Sequence, residues 1–115
     1  MFDFEKLEVY KKAKLFNLNV YNFLESELLV SSNKKDQLER AAFSVMLNIA
    51  EGSGRFTNKD KRHFYVIARG SAFECVAIFD FLLAKKIIND KTYTEYYSSL
   101  EELSKMLLAM IKKLS

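Results

Sequence analysis

The chain has 115 residues, with 18 Lys and Arg against 15 Asp and Glu, a formal charge of +3, no proline and three glycines. Half of it is hydrophobic and 14% is aromatic, so it can bury a core; disorder, which goes with low hydrophobicity and high net charge, is excluded. Sandwiches and barrels build their many turns from glycine, proline, asparagine and aspartate, so a chain this short of breakers reads as a few long helices, and at this length as a single domain spanning residues 1–115.

Apolar residues recurring every three or four positions mark four helical segments. The first is predicted from Phe4 to Leu29, with Phe4, Leu7, Tyr10, Ala13, Phe16, Val20, Phe23 and Leu24 along one stripe. Asp3 is its expected N-cap, with Phe2 and Leu7 stapled across the first turn. The second is predicted from Lys34 to Glu51, capped by Ser32 or Asn33, with Leu38, Ala41, Ala42, Val45 and Ile49 inward. Gly52 then falls where a left-handed residue commonly ends a helix, and Gly52-Ser53-Gly54 reads as the reversal.

The third segment is predicted from Asn58 to Leu83 behind a Thr57 cap. One apolar stripe runs through Phe64, Ile67, Ala68, Ser71, Cys75, Ile78 and Leu82, another through Tyr65, Ala72, Val76, Phe79 and Leu83, so burial on two faces is expected. The fourth is predicted from Asp90 to Leu114, capped by Asn89, with Ile88 stapled to Tyr93 and a stripe from Tyr93 through Leu100 and Leu107 to Leu114. Short connections between long helices favour antiparallel neighbours. The expected fold is therefore all-α, an antiparallel up-down-up-down four-helix bundle.

Several chemistries find no residues here. Cys75 is the one cysteine, so no disulfide closes within the chain, which fits a reducing cytoplasm. Met1-Phe2-Asp3-Phe4-Glu5 lacks the cationic and apolar regions of a secretion signal, and no run of about 18 apolar residues exists to span a membrane. One histidine and one cysteine make no usual zinc set, no Glu-x-x-His pair supports a di-metal bundle site, and Gly52-Ser53-Gly54 lacks the context of a phosphate loop. No metal and no cofactor are expected. His63 is placed on the outer face of the third helix beside Lys59 and Arg62, and Cys75, within an apolar stripe, reads as a buried inert thiol.

The second helix carries a polar stripe: Gln37, Arg40, Ser44, Asn48 and Glu51, spaced three or four apart. Spacing alone leaves two readings open, a solvated outer face or a polar seam between helices or subunits in which each group needs a partner. The third helix offers Arg69 and Glu74 to such a seam, and an ion pair of Arg40 or Arg69 with Glu51 or Glu74 is the expected closure. Gly70, deep in a predicted helix where it costs ~1 kcal/mol against alanine, suggests a close backbone approach.

These residues carry a resemblance. The run from Gln37 to Arg55 (QLERAAFSVMLNIAEGSGR), the second motif from Ile67 to Glu74 (IARGSAFE) and the opening Phe4 to Tyr10 together resemble a bacterial four-helix-bundle family first noted as open reading frames inside intervening sequences of large-subunit ribosomal RNA genes. The resemblance covers nearly the whole chain. It implies an antiparallel bundle assembled as a ring, typically a pentamer, with no catalytic residue to carry over. It also implies kinship with the accessory variability determinant of diversity-generating retroelements, a more basic pentamer that engages a reverse transcriptase and nucleic acid. The Val30–Asn33 connection is shorter than the family pattern and lacks its proline.

The positive charge is localised. From Arg55 to Arg69 the basic residues are Arg55, Lys59, Lys61, Arg62 and Arg69 against Asp60 alone, so this segment outweighs the net charge of the whole chain. Phe56, Phe64 and Tyr65 are interleaved with it. An ordinary solvated face would explain the pattern, and so would a phosphate-contacting patch multiplied by ring symmetry; Arg55, Lys59, Lys61 and Arg62 are its candidate nucleic-acid contacts. The function expected is a non-enzymatic, homo-oligomeric scaffold for nucleic acid or a nucleic-acid-handling protein, without a membrane. The alternatives are a structural adaptor for a protein partner, and a small enzyme using Glu51 and Glu74.

Overall fold

The structure, a computed structural model, describes residues 1–115. A 3-10 turn, Asp3–Lys6, leads into α1 (Glu8–Ser26), α2 (Ser32–Ser53), α3 (Asn58–Ala84) and α4 (Asp90–Lys113). There are no strands.

Cross-helix contacts fix the direction of each helix. Asn17 Nδ2 of α1 donates to the Ala42 carbonyl of α2 at 2.8 Å. Ser44 of α2 meets Ser71 of α3, and Arg69 of α3 reaches Ser104 of α4. Lys12 pairs with Glu102, and the Tyr96 hydroxyl donates to the Asn19 carbonyl, closing α4 onto α1. In every pair with two such points, residue numbers rise on one helix as they fall on the other. Gly52 of α2 packs on Tyr65, beyond the Ser44–Ser71 pair, and the Phe79–Tyr96 stack lies beyond Arg69 and Ser104. Adjacent helices are thus antiparallel, in a body 44 × 24 × 21 Å across.

The two kinds of seam have different residues. Between α2 and α3, the most closely packed pair, Ala41, Ala42, Ala68 and Ala72 are buried and Ser44 and Ser71 touch, so the backbones approach closely. Between α1 and α4 bulky rings keep the helices apart: Phe16 and Phe23 lie edge-on to Tyr96, which stacks on Phe79 with centroids 4.4 Å apart. One continuous core of 22 buried residues, from Val9 to Ile111, ties the four helices together.

Helix ends follow local chemistry. Thr57 and Asn89 cap α3 and α4 as expected, accepting from Asp60 N (3.1 Å) and Thr92 N (2.8 Å). Ser31, rather than Ser32 or Asn33, caps α2 by accepting from Lys34 N. Asp3 does not cap α1: the Phe2 N–H donates to Glu5 Oε1, and Phe2 stacks on Phe4 instead of stapling to Leu7. α1 stops at Ser26, short of the predicted Leu29. The Ser26 hydroxyl turns back onto the Asn22 and Phe23 carbonyls, Glu27 Oε1 takes the Leu29 N–H, and Val30 folds back into the core.

α2 runs two residues past its predicted end, so Gly52 lies inside the helix and no glycine has positive φ. Gly52 is required by contact instead: a Cβ there would sit 2.8 Å from Tyr65 Cε1. The left-handed residue of the molecule is Lys86, at φ 60. The Lys86 N–H donates to Leu83 O and the Ile87 N–H to Leu82 O, the paired bonds that close a helix around a residue where glycine is usual.

Both predicted stripes of α3 reach the core and merge into one broad buried face: Ala68, Cys75 and Leu82 come from the first, Tyr65, Ala72 and Phe79 from the second, while Ile67 of the first stripe remains exposed, as do Val66, Phe73 and Phe81 outside both. A helix in a four-membered ring touches a neighbour on either side of the core direction, and its outer side meets solvent in the single chain.

Candidate functional site

The polar stripe of α2 divides. Its middle is a real seam: Ser44 Oγ and Ser71 Oγ lie 2.7 Å apart, and Asn48 Nδ2 donates to Ser44 Oγ at 3.0 Å and to its carbonyl at 2.8 Å. Its ends are open. Gln37, Arg40, Glu51 and Glu74 are exposed, and Gln37, Arg40 and Glu74 line a shallow polar groove of about 440 Å³ with Asn33 and Asp36.

The expected ion pairs do not form. Glu51 takes Arg55, four residues on and just past the end of α2, at 3.3 Å. Arg69 turns away from α2: its Nε donates to the Ser104 carbonyl on α4 at 3.3 Å, and its guanidinium lies over the Phe73 ring. Arg69 and Glu74 are five residues apart, about 140° around a helix, and so face different neighbours. With Ser44 opposite Ser71, Glu74 stands beside Arg40 and Glu51 lies near the far end of α2, roughly 15 Å along the axis at ~1.5 Å per residue. Glu51 and Glu74 are therefore not brought together as an acid–base pair. No three His, Cys, Asp or Glu side chains are close enough to hold a metal ion, and no buried side-chain N or O lacks a partner.

Gly70 departs from expectation too. It is exposed, and a Cβ there would meet nothing within 4 Å. No neighbour within the chain presses on it; the close approach falls at Gly52.

Burial pushes the Cys75 thiol up to about 12 from its usual 9.0, with the nearby Glu74 charge adding to it. Both disfavour the thiolate, so this side chain is inert as a nucleophile.

The candidate nucleic-acid residues gather at the α2–α3 end. The turn is short and firmly held. Gly54 N donates to Glu51 O and Arg55 N to Gly52 O, and Lys61 Nζ donates to the Ser53 carbonyl at 2.9 Å. Lys61, half-buried, thus closes the C-terminus of α2, where a cation suits the free carbonyls. Of the four predicted contacts it is the one whose amine is committed within the fold. Lys59 and Arg62 are exposed and enter no ion pair. His63 shares their face of α3, with its ring edge-on to Phe64.

Arg55 is held flat. Glu51 binds it from one side and its guanidinium lies 4.5 Å from the Phe64 ring centroid, with 43% of the side chain still open. Phe56, next along, is 101% exposed, as open as in an extended chain. Sequence reading places Phe56 among the cations but not outside the core. The signal for its exposure is the connection itself: a turn of four residues, Gly54–Thr57, between two helices leaves an aromatic ring nothing to fold onto.

Four antiparallel helices around an apolar core, with one end that combines cations with open flat side chains, define a four-helix bundle. The model of the 23S rRNA-intervening sequence protein family matches residues 5–109, and the chain belongs to that family. Its fold is also that of a crystal structure from Bacteroides thetaiotaomicron, a protein with unknown function from the S23 ribosomal protein family. The two share 22% identity and a TM-score of 0.85 over 90% of this chain and 98% of the other. None of the curated proteins compared with the chain matches it. No helix is long and apolar enough to cross a membrane.

Proposed function

We propose that the chain is a non-catalytic helical scaffold that assembles with copies of itself and presents its α2–α3 tip to nucleic acid. The observation that carries this reading is the tip: Arg55 on the turn and Lys59 and Arg62 in the first turns of α3 stand exposed, with a single acid, Asp60, in the segment. Placing Lys59 and Arg62 in the first turns of α3 works against the helix dipole, a small cost that a phosphate contact would offset.

Assembly draws on the outer surface. Val66, Ile67, Phe73 and Phe81 on α3, with Phe43 and Leu47 on α2, leave apolar side chains open to solvent, surface that contact with a second copy would cover. A ring of five, which the resemblance suggests, would repeat the tip and convert a weak contact into a useful one through avidity.

Titration of labelled RNA and DNA at two salt concentrations tests the reading. Binding should weaken steeply with salt, and Lys59→Glu with Arg62→Glu should abolish it. No binding at low salt, or binding indifferent to these changes, would overturn it. Lys61 is left intact in this test because its amine closes α2. A second reading rests on the same apolar surface: an adaptor for a protein partner, which assembles normally and has no affinity for nucleic acid.

A further inference from the structure

The tip offers more than charge. Phosphate binding needs only cations, yet this turn holds flat, unpartnered surfaces among them. Phe56 is fully exposed although the turn that carries it is closed by backbone bonds, by the Thr57 cap and by Lys61. The backbone of a well-made turn holds this ring out in water, so its exposure is not an accident of a loose loop. Beside it, the Arg55 guanidinium is already laid on Phe64 and steadied by Glu51. Its orientation is set before any ligand arrives, so less freedom is lost on binding. Lys59 and Arg62 follow on α3, one and two turns from Phe56, free of ion pairs.

We propose that the α2–α3 tip is a site for single-stranded nucleic acid, in which one unpaired base stacks on Phe56 and a second on Arg55 while Lys59 and Arg62 take the phosphates. This rests on the nucleic-acid reading above and narrows it to a substrate class. A paired base keeps its faces inside the duplex and offers nothing to an open ring; an unpaired base offers both faces, whatever its identity. A guanidinium plane stacks on bases as an aromatic ring does. The structure therefore favours loops, bulges and single strands, with little sequence preference.

The experiment uses the whole protein with a fluorescein-labelled single-stranded 12-mer and a blunt-ended, two-strand duplex of matched composition, which has no unpaired base, at one fixed low salt concentration. The single strand should bind at least ~10-fold more tightly. Phe56→Ala should cost ~10- to 100-fold on the single strand, the worth of about one base–aromatic stack, and under twofold on the duplex. The chain has no tryptophan, so Phe56→Trp introduces a lone indole. It should keep full affinity, and its fluorescence should be quenched as the single strand is added. Phe56 is outside the core, and an unchanged melting temperature will show that both variants fold.

Equal affinity for strand and duplex, or an alanine variant that binds like the parent while charge reversal still abolishes binding, would overturn the stacking site and leave the nucleic-acid reading standing. No binding of either probe would overturn both. Indole fluorescence from the Phe56→Trp variant that moves with protein concentration and not with nucleic acid would assign position 56 to a protein contact, and so overturn the proposal.

Discussion

Gly52 and Gly70 lie in the two motifs that carry the family resemblance, and both are inside helices, yet their surroundings are opposite. At Gly52 a methyl group would fall 2.8 Å from Tyr65 Cε1 and 3.1 Å from Phe64 Cβ. At Gly70 it would touch nothing within 4 Å. The first glycine is explained by the folding of one chain: α2 and α3 close on each other at their shared end because nothing larger fits. The second is not. A mid-helix glycine costs ~1 kcal/mol, and no contact within the chain recovers it. The molecule thus has an inward region whose residues answer to its own packing and an outward region, around Gly70, that no contact within the chain explains.

The sharpest way to break this comparison is Gly52→Ala. The buried Tyr65 ring must shift, and overpacking of this kind costs about 1–3 kcal/mol. A lowered denaturation midpoint with unchanged secondary structure is the expected result; a neutral Gly52→Ala would remove the distinction. Cys75, on the inward side of the same helix as Gly70, should respond to alkali. Its folded pKa lies above its unfolded value, so the folded state holds the proton more tightly. That contribution is complete below about pH 9 and is lost as pH rises toward 12. The slope is on the order of 1 kcal/mol per pH unit. Unfolding midpoints at pH 8 and pH 10 should separate, and Cys75→Ala should shrink the gap.

Gly70→Ala should act in the opposite direction to Gly52→Ala. In the dissociated chain it should add ~1 kcal/mol of stability, because alanine is the better helix former and the space is open. If the proposed self-assembly uses this face, Gly70→Leu, which fills that space, should lower the mass measured by light scattering. The smallest effect is expected at the far end of α3. Lys86→Gly removes a side chain from a left-handed backbone, φ 60, and should raise stability by up to about 1 kcal/mol. A loss of stability there would mean that the lysine itself makes the turn.

Much of the inward region is legible in the sequence, because burial leaves a periodic trace. The stripes of α1, α2 and α4 and the Thr57 and Asn89 caps follow from spacing and from the hydrogen bonds those side chains can make. The misplaced features depend on contacts that periodicity does not encode. Gly52 reads as a helix end because glycine after a long helix is commonly a stop; only the position of Tyr65 shows that the helix continues beneath a ring. The expected Arg69–Glu74 seam fails for a reason visible in the spacing, since a separation of five turns two side chains to different neighbours. Charge at the tip is legible as composition. The commitment of Lys61 to the Ser53 carbonyl, and the freedom of Lys59, Arg62 and Phe56, emerge only once the turn is built.

Nucleic acid is expected to meet this chain at one place, the α2–α3 tip. Ultraviolet cross-linking of the protein to a single-stranded RNA, followed by mass-spectrometric mapping of the attached peptides, reads that location directly. Adducts should fall between Arg55 and His63, strongest at Phe56. Adducts confined to the opposite end, at Lys34 and Lys35 or at Lys85 and Lys86, would contradict it.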